Sequence, residues 1–327
     1  MITDSRIAFG DMLGAQMNTY AGLYYIAKEN NQKLVFWEEL RHFRRGLLIF
    51  DAFELPEQRM QKKNRILSTA GLLYGRYLGN VQKKNWRLEM NRIYHSAILT
   101  ILDSCFLTFV QKSHKNFKTV RGCTNGVHCD QRLLKLKKHF SYDIHDGFGT
   151  YRDWCKYQSE ILREFQFKKD IMDYGKKIWK SLHIPEDQET VSIHFRRTDY
   201  LQLSSLNLSF DYYRRAIGEF DDQKTIFLVF SDNINECRKF GGGLFDEKKH
   251  TVIYMPKRSA SIDMYLMTLC SHNITANSSF SFWGAFLNPS ASKKVVCPFY
   301  YVGEHDLDSN YLNGHYYPDE WTALKEI

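Results

Sequence analysis

Residues 191–200 read Val-Ser-Ile-His-Phe-Arg-Arg-Thr-Asp-Tyr and bring His194, Arg196, Arg197 and Asp199 close together in the chain. In an extended strand successive side chains alternate faces, so Val191, Ile193 and Phe195 share one side and Ser192, His194 and Arg196 the other. Arg197 then points away from Arg196. A guanidinium is a planar fork that keeps its charge, and at the carboxyl end of a buried strand it suits the grip of a phosphate group. The same spacing also makes an ordinary salt bridge at a strand exit, with Arg197 pairing to Asp199 and pinning the loop.

Three further segments carry groups of the right kind. In Phe230-Ser-Asp-Asn233, Asp232 offers two acceptors to a guanine edge, while Ser231 to Asn233 equally make a helix N-cap. Asn277-Ser-Ser-Phe-Ser-Phe-Trp-Gly284 sets Asn277, Ser278, Ser279 and Phe280 at the start of a helix, where free amides and the positive dipole end favour a diphosphate. Capping alone also accounts for those serines. In Ser261 to Cys270 the Met and Leu residues are core filler at helical spacing, which leaves Asp263 as that helix's candidate ligand contact.

These positions depend on the elements between them. After residue 190 the pattern alternates: strand 191–196, helix 209–220, strand 225–230, helix 233–240, strand 251–255, helix 261–271, strand 273–276, helix 279–287 and strand 293–297. Strands that are almost unbroken apolar runs, separated by helical patterns, predict a parallel sheet covered on both faces, with ligands at the carboxyl ends. In the first half, a strand at Arg6 to Phe9, a helix from Gln16 to Asn30 and a strand at Lys33 to Phe36 predict one βαβ start. Basic and aromatic helical segments then run to about residue 185.

Composition limits the class. A chain of 327 residues, 43% hydrophobic and 25% charged, has room for a sizeable core and two domains. The apolar stretch Ala97 to Val110 is broken by Asp103 and too short to span a bilayer, and the first residues lack the pattern of a secretory signal, so a cytoplasmic protein is expected. Seven cysteines, scattered and without a Cys-x-x-Cys pair, argue for reduced thiols and against a zinc site. The net charge of +8 gathers in runs such as Lys62-Lys-Asn-Arg65 and Lys135-Leu-Lys-Lys-His139 and suits an anionic partner or a solvated basic face. No helix-turn-helix, zinc-finger or RNA-binding signature accompanies it, so nucleic acid is not expected. Asp306-Leu-Asp308, beside Glu304 and His305, has oxygen and imidazole donors but reads first as a solvated turn.

His194-Phe-Arg-Arg-Thr-Asp-Tyr200, Phe230-Ser-Asp-Asn233 and the block from Asp263 to Asn288 together resemble the α-1,2-fucosyltransferases of glycosyltransferase family 11. The last block parallels the family's Asp-x-x-Leu-Met-x-x-Cys-x-x-Asn-Ile-x-x-Asn-Ser-Ser-Phe-Ser-Trp-Trp-Gly-Ala-Trp-Leu-Asn almost continuously. Weaker similarity runs through Gly147 to Trp154, Arg163 to Lys168 and Tyr317 to Trp321. The amino-terminal motif departs. Where the family has Gly-Gly-Leu-Gly-Asn-Gln-Met, this chain has Asp11-Met-Leu-Gly-Ala-Gln-Met17, which keeps Gly14 and Gln16 and replaces the asparagine with Ala15. A lost amide facing the donor sugar removes orienting hydrogen bonds, so another GDP-sugar such as GDP-colitose is the alternative donor.

The resemblance implies an α/β GT-B-like fold in which two Rossmann-like domains face a central cleft: residues 1–185 an acceptor-side domain with helical insertions, 186–300 the GDP-sugar domain, and 301–327 a tail returning towards the first domain. It implies inverting transfer of L-fucose from GDP-β-L-fucose to the 2-hydroxyl of a galactose in a glycan acceptor, with no metal or other cofactor. Arg196 is the implied leaving-group residue, with Arg197 in support, Asp199 fixing the loop, His194 and Asp232 on the guanine and ribose side, and Ser278 and Ser279 adding donors. Asp11 is a candidate base on the incoming hydroxyl or a cap of the following helix. Bacterial members of this kind build lipopolysaccharide O-antigen, so a lipid-linked acceptor and peripheral contact with anionic membrane are further expectations. A basic glycan- or nucleic-acid-binding protein without turnover is the rival from another class.

Overall fold

The computed structural model describes residues 1–8, 11–42, 45–61, 117–121, 129–145, 150–198, 207–220, 225–241, 243–246, 249–301 and 316–325. The chain forms two compact units. The first comprises Met1–Met12, Gln16–Asp51 and Leu55–Gly149; the second comprises Leu13–Ala15, Ala52–Glu54 and Thr150–Ile327.

In the first unit, strand β1 (Ile2–Thr3) leads to helix α1 (Leu13–Glu29), short strands β2 (Phe36–Trp37) and β3 (Met60–Gln61) flank helix α2 (Leu48–Ala52), and strands β4 (Phe117–Arg121) and β5 (Ser141–His145) follow. The sheet order is β1-β5-β4, all parallel, and β2 pairs with β3. The strand expected at Arg6 to Phe9 lies earlier, at Ile2–Thr3, because the Asp4 carboxylate accepts the Arg6 amide (2.7 Å) and curls the chain into a turn. Phe9 lies outside the described residues.

In the second unit, helices α3 (Tyr151–Trp154), α4 (Gln158–Glu164) and α5 (Lys169–Ser181) precede strand β6 (Thr190–Phe195). There follow α6 (Phe210–Gly218), β7 (Ile226–Ser231), α7 (Ile234–Gly241), β8 (Thr251–Tyr254), α8 (Ala260–Thr268), β9 (His272–Ile274), α9 (Ser279–Phe286), β10 (Val295–Pro298) and β11 (Thr322–Leu324). Every pairing in this sheet is parallel, and the order is β11-β10-β9-β6-β7-β8. β6 and β7 are buried along their whole length, as their unbroken apolar runs require of a sheet covered on both faces.

The expected boundary at 185/186 falls instead near 149/150. Helices α3 to α5 join the second unit because their apolar side chains find partners there: Trp154 stacks on Trp283 at 5.4 Å, and Phe167 meets Tyr265 edge-on at 5.2 Å. The tail also differs. Residues 322–324 add β11 beside β10, with Val296 opposite Thr322, so the tail extends the second unit's sheet. Buried Tyr317 and Trp321 anchor it against the Phe282 ring, 5.3 Å from Trp321.

Candidate active site

Numbering the second unit's strands in chain order gives 6-5-4-1-2-3, the doubly wound arrangement, so the order reverses between β6 and β9. A crevice at that switch point, outside the carboxyl ends, is where such sheets take ligands. β6 ends there with Arg196, and β9 leads there to Ser278 and α9.

The geometry around Arg196 is set from the neighbouring strand. Asp232, just past β7, accepts the Arg197 amide at 2.7 Å and the Thr198 hydroxyl, and pairs with Arg196 Nη1 at 3.2 Å. Arg196 keeps 28% of its side chain exposed while Asp232 keeps 12%. Asp232 therefore latches the β6 exit loop and aims the guanidinium; both its oxygens already serve this loop, so a guanine edge would have to share them. The neighbours do the capping: Asn233 Oδ1 accepts the Glu236 amide (3.2 Å), and Ser231 Oγ accepts the Asn233 amide (3.1 Å). Arg197 turns away as the alternation predicts, and its guanidinium lies 4.0 Å from the centre of the Phe240 ring. Asp199 lies outside the described residues.

His194 is buried, and burial holds its imidazole neutral, with a pKa pulled down to about 4. Its Nδ1 has no hydrogen-bond partner among the described residues, and its ring faces Phe280 at 5.4 Å. Asp263 accepts the Arg258 amide through Oδ2 (3.3 Å), while buried Oδ1 has no partner among the described residues; burial raises its carboxyl to about 6. Lys257, in the same β8 exit, donates to the Asp232 carbonyl at 3.3 Å. Its position repeats that of Arg196 and Asp232, and the signal for it was the strand exit Met255-Pro-Lys-Arg, which the motif reading passed over.

α9 starts at N-cap Ser278 with no side-chain cap, because Ser281 takes the local hydrogen bonds instead, accepting the Ala276 amide at 3.1 Å. The first-turn amides thus remain uncapped at the switch point, and Asn277 and Ser278 are buried beside them. Gly14, in the same unit, lies against this turn: a Cβ there would stand 2.5 Å from the Phe280 amide nitrogen and 2.7 Å from the Ser279 carbonyl carbon. Only glycine permits that approach.

The remaining amino-terminal residues belong to the first unit. Gln16 is wholly buried and structurally spent: its amide donates to the Asp11 and Gly46 carbonyls (3.1 and 2.9 Å) and its oxygen accepts the Ile49 amide (3.4 Å). That accounting replaces the donor contact expected of it. Asp11 does not cap α1, whose N-cap is Met12. Among the described residues nothing hydrogen-bonds its half-buried carboxylate, and burial raises its pKa. Asp306 and Asp308 lie outside the described residues.

The arrangement can do a definite kind of chemistry. A cation held by a latch, an uncapped helix start and a neutral buried imidazole surround one sheet edge, a set suited to an anionic leaving group. The chain is 26% identical over 302 residues, 88% of its length and 91% of the relative's, to the O-antigen biosynthesis glycosyltransferase WbnK of Escherichia coli. It is 24% identical to an alpha-1,2-colitosyltransferase of the same species, over 68% of this chain and 79% of the relative. A galactoside alpha-(1,2)-fucosyltransferase 1 of Ateles belzebuth is 26% identical over 40% of this chain and 38% of its own. Residues 133–324, more than half the chain, match glycosyl transferase family 11, and the protein belongs to that family.

Proposed function

We propose that this glycosyltransferase moves L-fucose from GDP-β-L-fucose to the 2-hydroxyl of a galactose residue, inverting the anomeric centre. The observation that carries the reading is Arg196, latched by Asp232 at the switch point beside the start of α9. As the glycosyl–phosphate bond breaks, the bonding pair goes to the β-phosphate oxygen; Arg196 and the α9 amides meet that charge in place of a metal ion. His194 and Asp263 supply the unsatisfied buried acceptors for the nucleoside, with Asn277, Ser278, Ser279 and Phe280 at the diphosphate. Asp11, whose carboxyl burial holds above its usual range, is the proposed base for the acceptor hydroxyl.

A second donor has its own support. The amino-terminal motif has lost its asparagine amide at Ala15, and one relative is named an alpha-1,2-colitosyltransferase, so the same machinery with GDP-colitose is the alternative. The relation to an O-antigen glycosyltransferase supports a lipopolysaccharide-type glycan acceptor, lipid-linked and reached from the cytoplasmic side by peripheral contact with anionic membrane. No described helix is long and apolar enough to cross a membrane.

The test is GDP release from GDP-fucose, GDP-colitose and GDP-mannose, with and without galactose-terminated acceptors. The expected result is acceptor-dependent release from one of the first two, unaltered by added Mg2+ and reduced at least 1,000-fold, an order-of-magnitude expectation, by Arg196→Ala. Near-normal turnover by a folded Arg196→Ala chain overturns the assignment.

A further inference from the structure

The first unit holds a cluster that the proposed reaction does not use. At the carboxyl ends of β1 and β5, Asp4, Asp143 and His145 are all buried, and their ligand atoms lie within 4.8 Å of one another. Asp143 Oδ2 stands 2.7 Å from His145 Nε2 and accepts the Ser5 hydroxyl at 2.6 Å, while Oδ1 accepts the Ser5 amide at 2.8 Å. Asp4 Oδ1 accepts the Arg6 amide at 2.7 Å. Thr3 is the register partner of Asp143, which puts its side chain on the face carrying Asp143 and His145. Its hydroxyl is fully buried and has no hydrogen-bond partner among the described residues.

Two carboxylates this close in a dry interior repel each other. Burial and the Asp143 charge accordingly push the Asp4 carboxyl well above its usual range. Arg6 offsets part of that repulsion, and a bound cation would offset the rest. The orphaned Thr3 oxygen, on the face that carries Asp143 and His145, is a further buried oxygen donor for a cation. Two carboxylates, an imidazole and nearby hydroxyls form a mixed oxygen and nitrogen set, which suits Mn2+ or Zn2+ better than an all-oxygen cation such as Mg2+. The Ser5 amide holds Asp143 through Oδ1, and the Ser5 hydroxyl, 3.2 Å from His145 Nε2, sits within the cluster as a further oxygen.

We propose that Asp4, Asp143 and His145 form a divalent-cation site that joins the carboxyl ends of β1 and β5.

The test uses the full chain freed of metal by a chelating resin, then given Mn2+ or Zn2+ alone, with Mg2+ as the comparator. Bound metal after gel filtration and the thermal midpoint are the readouts. One equivalent of Mn2+ or Zn2+ per chain is expected, with a midpoint several degrees higher. Asp4→Asn, which keeps the shape and removes a buried charge, is expected to fold and to bind at least ten times more weakly; His145→Gln serves as the second variant. Retention of no cation overturns the site in favour of a protonated Asp4. Equal binding by folded wild-type, Asp4→Asn and His145→Gln chains overturns it in favour of histidines elsewhere.

Discussion

Gly14→Ala measures how tightly the uncapped end of α9 is held. The three atoms nearest a Cβ at this position are all backbone: Phe280 N at 2.5 Å, Ser279 C at 2.7 Å and Phe280 Cα at 2.8 Å. Carbon pairs rest at about 3.5–4.0 Å, so the start of α9 must withdraw by roughly 1 Å, and no side-chain rotation relieves it. Overpacking of this kind costs about 1–3 kcal/mol, against a helix-propensity gain of up to about 1 kcal/mol for alanine over glycine. The net loss of about 1–2 kcal/mol lowers the thermal midpoint by roughly 2–8 °C for a unit of this size. Because the displaced amides are those proposed to face the diphosphate, a shift of 1 Å also costs about 100-fold in turnover. The matched control is Gly218→Ala at the end of α6, where a Cβ meets nothing within 4 Å. Scanning calorimetry and GDP release on both variants decide the matter. If Gly14→Ala matches Gly218→Ala in midpoint and turnover, the close approach of α9 is wrong.

Asp232→Asn should separate the latch from the charge it aims. Asparagine keeps one acceptor for the Arg197 amide but loses the pairing with Arg196, so turnover should fall about 10- to 100-fold with the fold retained; unchanged kcat/KM refutes the latch. Asp263 sets a pH dependence of stability. Its folded pKa of about 6 lies above an unfolded value of about 3.9, so the folded state binds the extra proton and stability falls as pH rises from about 4 to 6, by at most about 3 kcal/mol. Asp263→Asn should remove that fall in urea melts at pH 4 and 7, and an unchanged difference between the two pH values assigns it elsewhere.

The second unit could be read from the chain because its strands are nearly pure apolar runs, and β6 and β7 fall within one residue of the expected spans. Helix start signals were also dependable, though the capping atom was not: Ser281 and Asn233 do work that Ser278 and Asp232 were also placed to do. That choice depends on what lies across the sheet, which local sequence does not encode. Asp232 shows this most clearly, since its partners sit some 35 positions earlier, on a neighbouring strand. The first unit was harder because its strands are only two to five residues long and its turns are fixed by long-range bonds, such as Ser5 to Asp143 across 138 positions. Gln16 was misjudged for a related reason: a buried amide in a motif serves loop and ligand equally well until its partners are counted.

The carboxylate beside Arg196 also sets the terms of entry. An arriving anion competes with a resident acid for the same fork, so a weakly charged phosphate gains little by binding, whereas a nucleoside diphosphate brings enough negative charge to win the contest. Discharge of the sugar then leaves the most strongly held form in place. For the proposed reaction this predicts that escape of the nucleotide, rather than bond cleavage, limits each cycle, and a burst of transferred sugar in the first turnover checks it.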